Sequence, residues 1–143
     1  GIMRTGLLGA LALVFSSTAA AQSISLTEGE WTHSRATAVR GDPEIETRKV
    51  CVTSDMSEAV YTALAARFSE PLFCEPEGVT ETETGASFTM NCGLGSMYRS
   101  GEGEISIQSA EAYTVEARAR LNIPGSARIY STITETATRT GDC

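Results

Sequence analysis

The stretch from residue 113 to residue 121 alternates apolar and polar side chains without a break. Tyr113, Val115, Ala117, Ala119 and Leu121 fall on one side; Thr114, Glu116, Arg118 and Arg120 fall on the other. A two-residue period belongs to an extended strand with one face buried and one in water. The period recurs in residues 127–134, where Ala127, Ile129, Ser131 and Ile133 alternate with Arg128, Tyr130, Thr132 and Thr134. Asn122, Ile123, Pro124 and Gly125 between them form a turn signal, so the two strands read as a hairpin. Residues 104–108 alternate as well, and Phe88, Met90 and Cys92 alternate with Ser87, Thr89 and Asn91. Upstream, residues 31–39 and 45–52 form a further hairpin candidate around Gly41 and Pro43. Leu72 to Cys74 and Val79 to Glu81 read as an interrupted strand, in which Pro76 points to a sheet edge or a bulge.

One segment departs from this period. Met56, Val60, Ala63, Leu64 and Phe68 recur at helical spacing. Thr53 and Ser54 can cap such a helix, and Asp55 suits its positive end. The spacing predicts a helix over about residues 55–67, blocked from continuing by Pro71. About seven strands in hairpin order plus one helix predict an all-β fold. Its first form is an antiparallel meander in a strongly curved sheet or open barrel, with one short α-helix over the buried face; the alternative is a β-sandwich.

The chain of 143 residues opens with Arg4, an apolar run from Leu7 to Phe15 and small residues ending in Ala19, Ala20 and Ala21. That is the layout of a secretory signal over residues 1–21, with cleavage between Ala21 and Gln22. The apolar run is too short for a permanent membrane span. Residues 22–28 read as a linker and 29–143 as a single domain. Removing residues 1–21 takes away Arg4 and leaves ten basic and eighteen acidic side chains, a net charge of −8. Such a chain is repelled by nucleic acid and anionic lipid, so neither is an expected partner.

All four cysteines, Cys51, Cys74, Cys92 and Cys143, follow the cleavage point. In an exported chain an even number reads as disulfides, here two, with three possible pairings. A zinc site is the rival, but no Cys-x-x-Cys is present and His33 is the single histidine. Cys74 and Cys92 stand nine residues either side of Glu83, near the tip of a predicted hairpin, so they can face each other across two strands. That leaves Cys51 with Cys143. On a chain-entropy basis the short loop contributes about 3 kcal/mol and the long one about 4.5 kcal/mol.

The order Gly29-Glu30-Trp31, Cys51-Val52-Thr53 before a helix, Cys74, Asn91-Cys92-Gly93, Gly101-Glu102-Gly103 and a closing Gly141-Asp142-Cys143 resembles the secreted bacterial family called domain of unknown function 3617. The resemblance runs from Gly29 to Cys143. It implies secretion, β-rich structure and paired cysteines, and it implies no activity. The segment between Trp31 and Cys51 is shorter and more charged than the Met-, Pro- and Gly-rich one common in that family.

Chemistry-bearing patterns are few. Nucleophilic catalysis needs a base beside a Ser, Thr or Cys, and His33, on a strand beside Trp31 and Arg35, reads as a surface or satisfied histidine. The carboxylate pairs Glu75 with Glu77 and Glu102 with Glu104 read as the wet faces of strands, although a glycosidase dyad or calcium site can use that spacing. The glycines of 93–95 and 101–103 precede no helix, so they read as bulges or bends and not as phosphate loops. No catalytic residue, metal or cofactor is expected.

The function expected is a non-enzymatic binding module for a small apolar ligand. Trp31, Tyr113 and Val115 are its candidate pocket wall, and Ala117, Ala119, Ala127 and Ser131 leave room inside a curved sheet. The alternative is a structural or interaction protein of the cell envelope, using the charged face of Glu116, Arg118, Arg120 and Arg128. The expected compartment is the periplasm or the cell exterior.

Overall fold

The computed structural model describes residues 25–53, 59–125 and 128–143. Seven strands form one antiparallel sheet: β1 (Gly29–Ala38), β2 (Glu44–Val52), β3 (Cys74–Glu81), β4 (Ala86–Cys92), β5 (Tyr98–Ser109), β6 (Ala112–Leu121) and β7 (Tyr130–Gly141). Their spatial order is β2-β1-β7-β6-β5-β4-β3. Each hairpin is local except the β1–β7 pairing, which joins the first strand to the last from Glu30↔Gly141 to Ala38↔Thr132. The all-β expectation holds, and the sheet is open: β2 and β3 are its two free edges.

The link between those edges carries α1 (Val60–Ser69) and a 3-10 turn over Glu70–Leu72. The helix runs on past the expected Arg67 to Ser69, and Pro71 sits in the first turn of the 3-10 segment, where its missing N–H costs nothing. Ser54, Asp55 and Met56, expected at the helix start, lie outside the described residues, as do residues 1–24 with the signal and its cleavage point. The described helix begins after Ala59, which takes a left-handed conformation with φ 50°.

The strength of the curvature follows from one side chain. β1 and β4 are four strand spacings apart, about 19 Å along a flat sheet. Yet Phe68 of α1 meets both: the Arg35 guanidinium of β1 lies 4.4 Å from the ring centroid, and the Phe88 ring of β4 packs edge-on at 6.1 Å. The sheet therefore wraps around the helix. Inside lie Trp31, Leu64, Phe68, Phe88, Met90, Ile105, Val115 and Ile133, all essentially without solvent contact. Leu26, within the stretch expected as linker, is fully buried in the same cluster, so the domain takes in the end of that stretch. Thr27 fixes it further by donating its backbone N–H to Ala110 O.

Gly101 and Gly103 correct the expectation of bulges. Both lie in regular pairing, opposite Met90 and Phe88. A Cβ on Gly103 would stand 2.6 Å from Phe88 Cζ, and one on Gly101 2.8 Å from Met90 Cε. The glycines vacate the inner face so that large β4 side chains can lie across β5. The irregularities of β5 fall elsewhere, between Tyr98 and Ser100 and between Ile107 and Ser109. β3 is an edge strand and also bulges, between Glu77 and Thr80, which satisfies both readings of Pro76.

The cysteines pair as Cys51–Cys143 and Cys74–Cys92. Cys74 and Cys92 are direct cross-strand partners in the β3–β4 register.

Gly103→Ala tests the packing of the inner face. Phe88 is held on its other side by Phe68, so it cannot swing away, and the overpacked core should lose about 1–3 kcal/mol in urea denaturation. An unchanged midpoint would show that Phe88 has room to move.

Candidate functional site

Two features stand out from an otherwise ordinary interior: a buried polar cluster on β1, β6 and β7, and an apolar hollow at the end of α1.

The cluster arises from strand parity. Trp31 faces inward on β1, so His33 and Arg35 do too; Ile133 faces inward on β7, so Glu135 does too. Arg35 and Glu135 are direct partners in the β1–β7 register. Arg35 Nε donates to Glu135 Oε1 at 2.8 Å, Arg35 Nη2 donates to Phe68 O at 2.9 Å, and the guanidinium lies on the Phe68 ring. The buried cation is thus matched by a carboxylate, a carbonyl and a π face at once, the condition under which a charge is tolerated away from water.

His33, expected as a surface or a satisfied histidine, is buried, so the surface alternative falls, and the satisfied one holds for one ring nitrogen only. Its Nε2 shares a 3.1 Å hydrogen bond with the Tyr113 hydroxyl, and its Nδ1 is the one buried side-chain polar atom without a partner among the described residues. Burial holds the imidazole below its usual value, against the pull of Glu135, and nearby Arg48, Arg67 and Arg35 push the same way as burial. Burial, with help from Glu135, pushes the Tyr113 hydroxyl up, so it remains protonated. A small hollow of about 110 Å³ opens beside the cluster, lined by His33, Arg35, Glu46, Arg48, Pro71 and Glu135. No nucleophile lines it, and among the described residues no group of three or more His, Cys, Asp or Glu side chains could hold a metal. The cluster binds β1, β6, β7 and α1 to one another.

The second feature centres on Phe73. Its backbone is left-handed, with φ 57° and ψ 41°, an uncommon and costly state for a bulky residue. It is held there from both sides: Phe73 N donates to Glu70 O at 2.9 Å, and Gly93 N donates to Phe73 O at 3.1 Å. The disulfide at Cys74 fixes the next residue. Ser96 adds a brace from the β4–β5 loop, donating to Leu72 O at 2.7 Å and accepting from Tyr98 N at 3.0 Å. The side chain is free by contrast. Phe73 is 66 % exposed, and Leu94 and Met97 of the loop between β4 and β5 are exposed as well. Phe73, Leu94, Pro76, Ala66 and the Cys74–Cys92 bridge line a hollow of about 760 Å³, with Arg67, Glu70 and Glu75 also on its wall. Among the described residues no helix is long and apolar enough to cross a membrane.

A family model, "Protein of unknown function (DUF3617)", matches residues 26–143. The chain belongs to this DUF3617 family. The match starts at the buried Leu26 and ends at Cys143, so it spans the whole described sheet with both disulfides. No curated protein and no solved structure matches this DUF3617 chain.

The residues expected to wall a pocket are core residues. Trp31 and Tyr113 pack with centroids 5.8 Å apart, Trp31 Nε1 donates to Thr27 O at 2.9 Å, and Val115 joins the same cluster. None of the three lines the hollow at Phe73. Of the small residues beside them, Ala117, Ala119 and Ser131 are buried, and Ala127 lies outside the described residues. The carboxylates Glu75, Glu77, Glu102 and Glu104 are exposed. Glu102 stands opposite Arg118 and Glu104 opposite Glu116, on a polar outer face that carries a hollow of about 470 Å³. On that face Arg118 lies 3.7 Å from the Tyr130 ring centroid.

Sequence reasoning missed Arg35, Glu135 and Phe73 as site residues. Parity carried the signal for the first two: inward Trp31 and Ile133 imply inward Arg35 and Glu135. Phe73 precedes β3 with a left-handed backbone, so strand parity does not reach it.

Two outcomes follow for the cluster. Glu135→Leu should cost about 3–5 kcal/mol by stranding a buried cation. Adding Arg35→Met should recover part of that loss, short of the whole because Phe68 O loses its donor; a double variant as unstable as the single one would contradict this account. For His33, the folded state binds its proton less readily than the unfolded chain. Its contribution is whole above the unfolded value near 6.5 and is lost as pH falls through the lower folded value. Thermal melts from about pH 7.5 to about pH 5 should therefore fall more steeply for the parent than for His33→Gln. Equal slopes would remove His33 as the source.

Proposed function

We propose that this DUF3617 protein is an exported, non-enzymatic binding module for a small apolar ligand, and that the ligand sits in the hollow at Phe73. The observation that carries the reading is the combination at one residue of a strained, doubly clamped backbone and an unpacked aromatic ring. Left-handed backbone at a phenylalanine costs of the order of 1–3 kcal/mol, and such strain collects where a side chain must be presented. Folding alone gains little from it, since the ring buries little surface. The hollow it borders falls in the volume range of small-molecule sites, and Leu94, Pro76, Ala66 and the disulfide supply apolar lining.

Export is part of the same proposal. Two disulfides suit an oxidising compartment, and cleavage between Ala21 and Gln22 would deliver the domain there. Amino-terminal sequencing of exported material tests that step, with Gln22 expected as the first residue.

Phe73→Gly separates this reading from a structural role. Glycine relieves the left-handed backbone, so the variant should be as stable as the parent or more stable by up to about 1 kcal/mol. It should also bind the apolar probe N-phenyl-1-naphthylamine at least about tenfold more weakly, since it removes the aromatic wall. A parent protein that shows no saturable probe binding, and that carries no apolar molecule into native mass spectrometry after export, would overturn the proposal.

A further inference from the structure

The two edges of the sheet are protected very differently. β3 carries Pro76, which offers no N–H, and a bulge between Glu77 and Thr80 beside Gly78 at φ 59°. Those features spoil an edge as a template for another strand. β2 carries none of them. It pairs with β1 through nine consecutive residue pairs, Gly29↔Val52 to Thr37↔Glu44, with no bulge. Its outer edge is therefore a regular nine-residue row of backbone donors and acceptors. Glu44 to Lys49 are exposed on both faces, and Ile45 is 64 % exposed.

The charges along β2 are divided by sign: Glu44 and Glu46 precede Arg48 and Lys49. In an antiparallel pair of identical strands related by a two-fold axis, a residue faces one of the same parity, because facing side chains share a sheet face. Such a pairing is centred on one residue. Centred on residue 45, Glu44 faces Glu46; on residues 44, 46, 48 or 49, Glu44, Glu46, Arg48 or Lys49 faces its own copy. Centred on Thr47, Glu46 faces Arg48 twice, Ile45 faces Lys49 twice and no like charges are opposed; centres on residues 50, 51 or 52 oppose no like charges either, but they shorten the paired stretch and set no opposite charges face to face. Directly opposed opposite charges stabilise a strand pair and like charges weaken it.

We propose that β2 is a self-association edge, pairing antiparallel with β2 of a second copy of this chain about Thr47 to join two sheets into one of fourteen strands. The partner is a second copy, and not an unrelated strand, because two-fold pairing about Thr47 sets Glu46 and Arg48 of β2 against each other twice. The Phe73 hollow lies by the opposite edge, so this inference and the ligand reading stand or fall separately.

Sedimentation equilibrium of the exported chain, over about 10 to 500 µM at moderate salt, reads the association. The parent should show a monomer–dimer equilibrium. Glu46→Arg and Arg48→Glu should each weaken it at least about tenfold, since each sets like charges face to face twice. The combined Glu46→Arg, Arg48→Glu variant should restore it, because exchange of the two charges recreates the complementarity. Circular dichroism confirms that each variant is folded. Hydrogen exchange on the parent reads the same edge without substitution, and amides within residues 44–52 should gain protection as concentration rises. A parent that stays monomeric throughout, a dimer indifferent to both single reversals, or a folded combined variant that fails to recover would each overturn the proposal.

Discussion

The curled sheet depends on Arg35. Its guanidinium is the place where β1, β7 and α1 meet, and Phe68 extends that meeting point to β4. An open sheet has no strand pairing to hold its edges toward each other, so closure here comes from the inside. A helix of ten residues, with little amphipathic length of its own, gains its place from a charged anchor on one flank and aromatic packing on the other. Polar contacts of this kind have directions and partners that apolar packing lacks, so they fix which turn of the helix faces which strand.

Much of the fold was legible because β-structure with one wet face writes its period into the chain. Residues 113–121 announced β6, and the symmetry of Cys74 and Cys92 about the β3–β4 turn matched their register. The same period also held what went unread. His33, Arg35 and Glu135 have the wrong chemistry for an interior, and chemistry was allowed to outweigh parity. A histidine beside an arginine reads equally as surface or satisfied until the partner that neutralises the arginine is known, and that partner lies a hundred residues away. Glycine misled in the same manner. Gly101 and Gly103 read as bends from local propensity, whereas their purpose is to leave space for residues of the adjacent strand. Both failures are of long-range origin, which a single sequence records only as an unexplained local oddity.

The Phe73 hollow was invisible for a different reason. Its parts come from the end of α1, the start of β3 and the loop after β4, brought together by the β3–β4 pairing, the Gly93–Phe73 hydrogen bond and the disulfide. The cysteines were counted as stability, and they also place a wall. This shifts the emphasis of a binding reading from the interior of the sheet, where Trp31, Tyr113 and Val115 are packed solid, to its rim.

Cys51–Cys143 closes a covalent ring that takes in α1 and every strand from β3 to β7. A single backbone cut anywhere inside that ring opens a loop but releases no fragment. Exposed loop tips are where proteases cut first, and most of the tips here, including the turns at Glu83 and Pro124, lie within it. One nick there leaves the molecule in one piece, with the sheet still assembled around its helix. Only the β1–β2 hairpin and the segment before it lie outside this insurance.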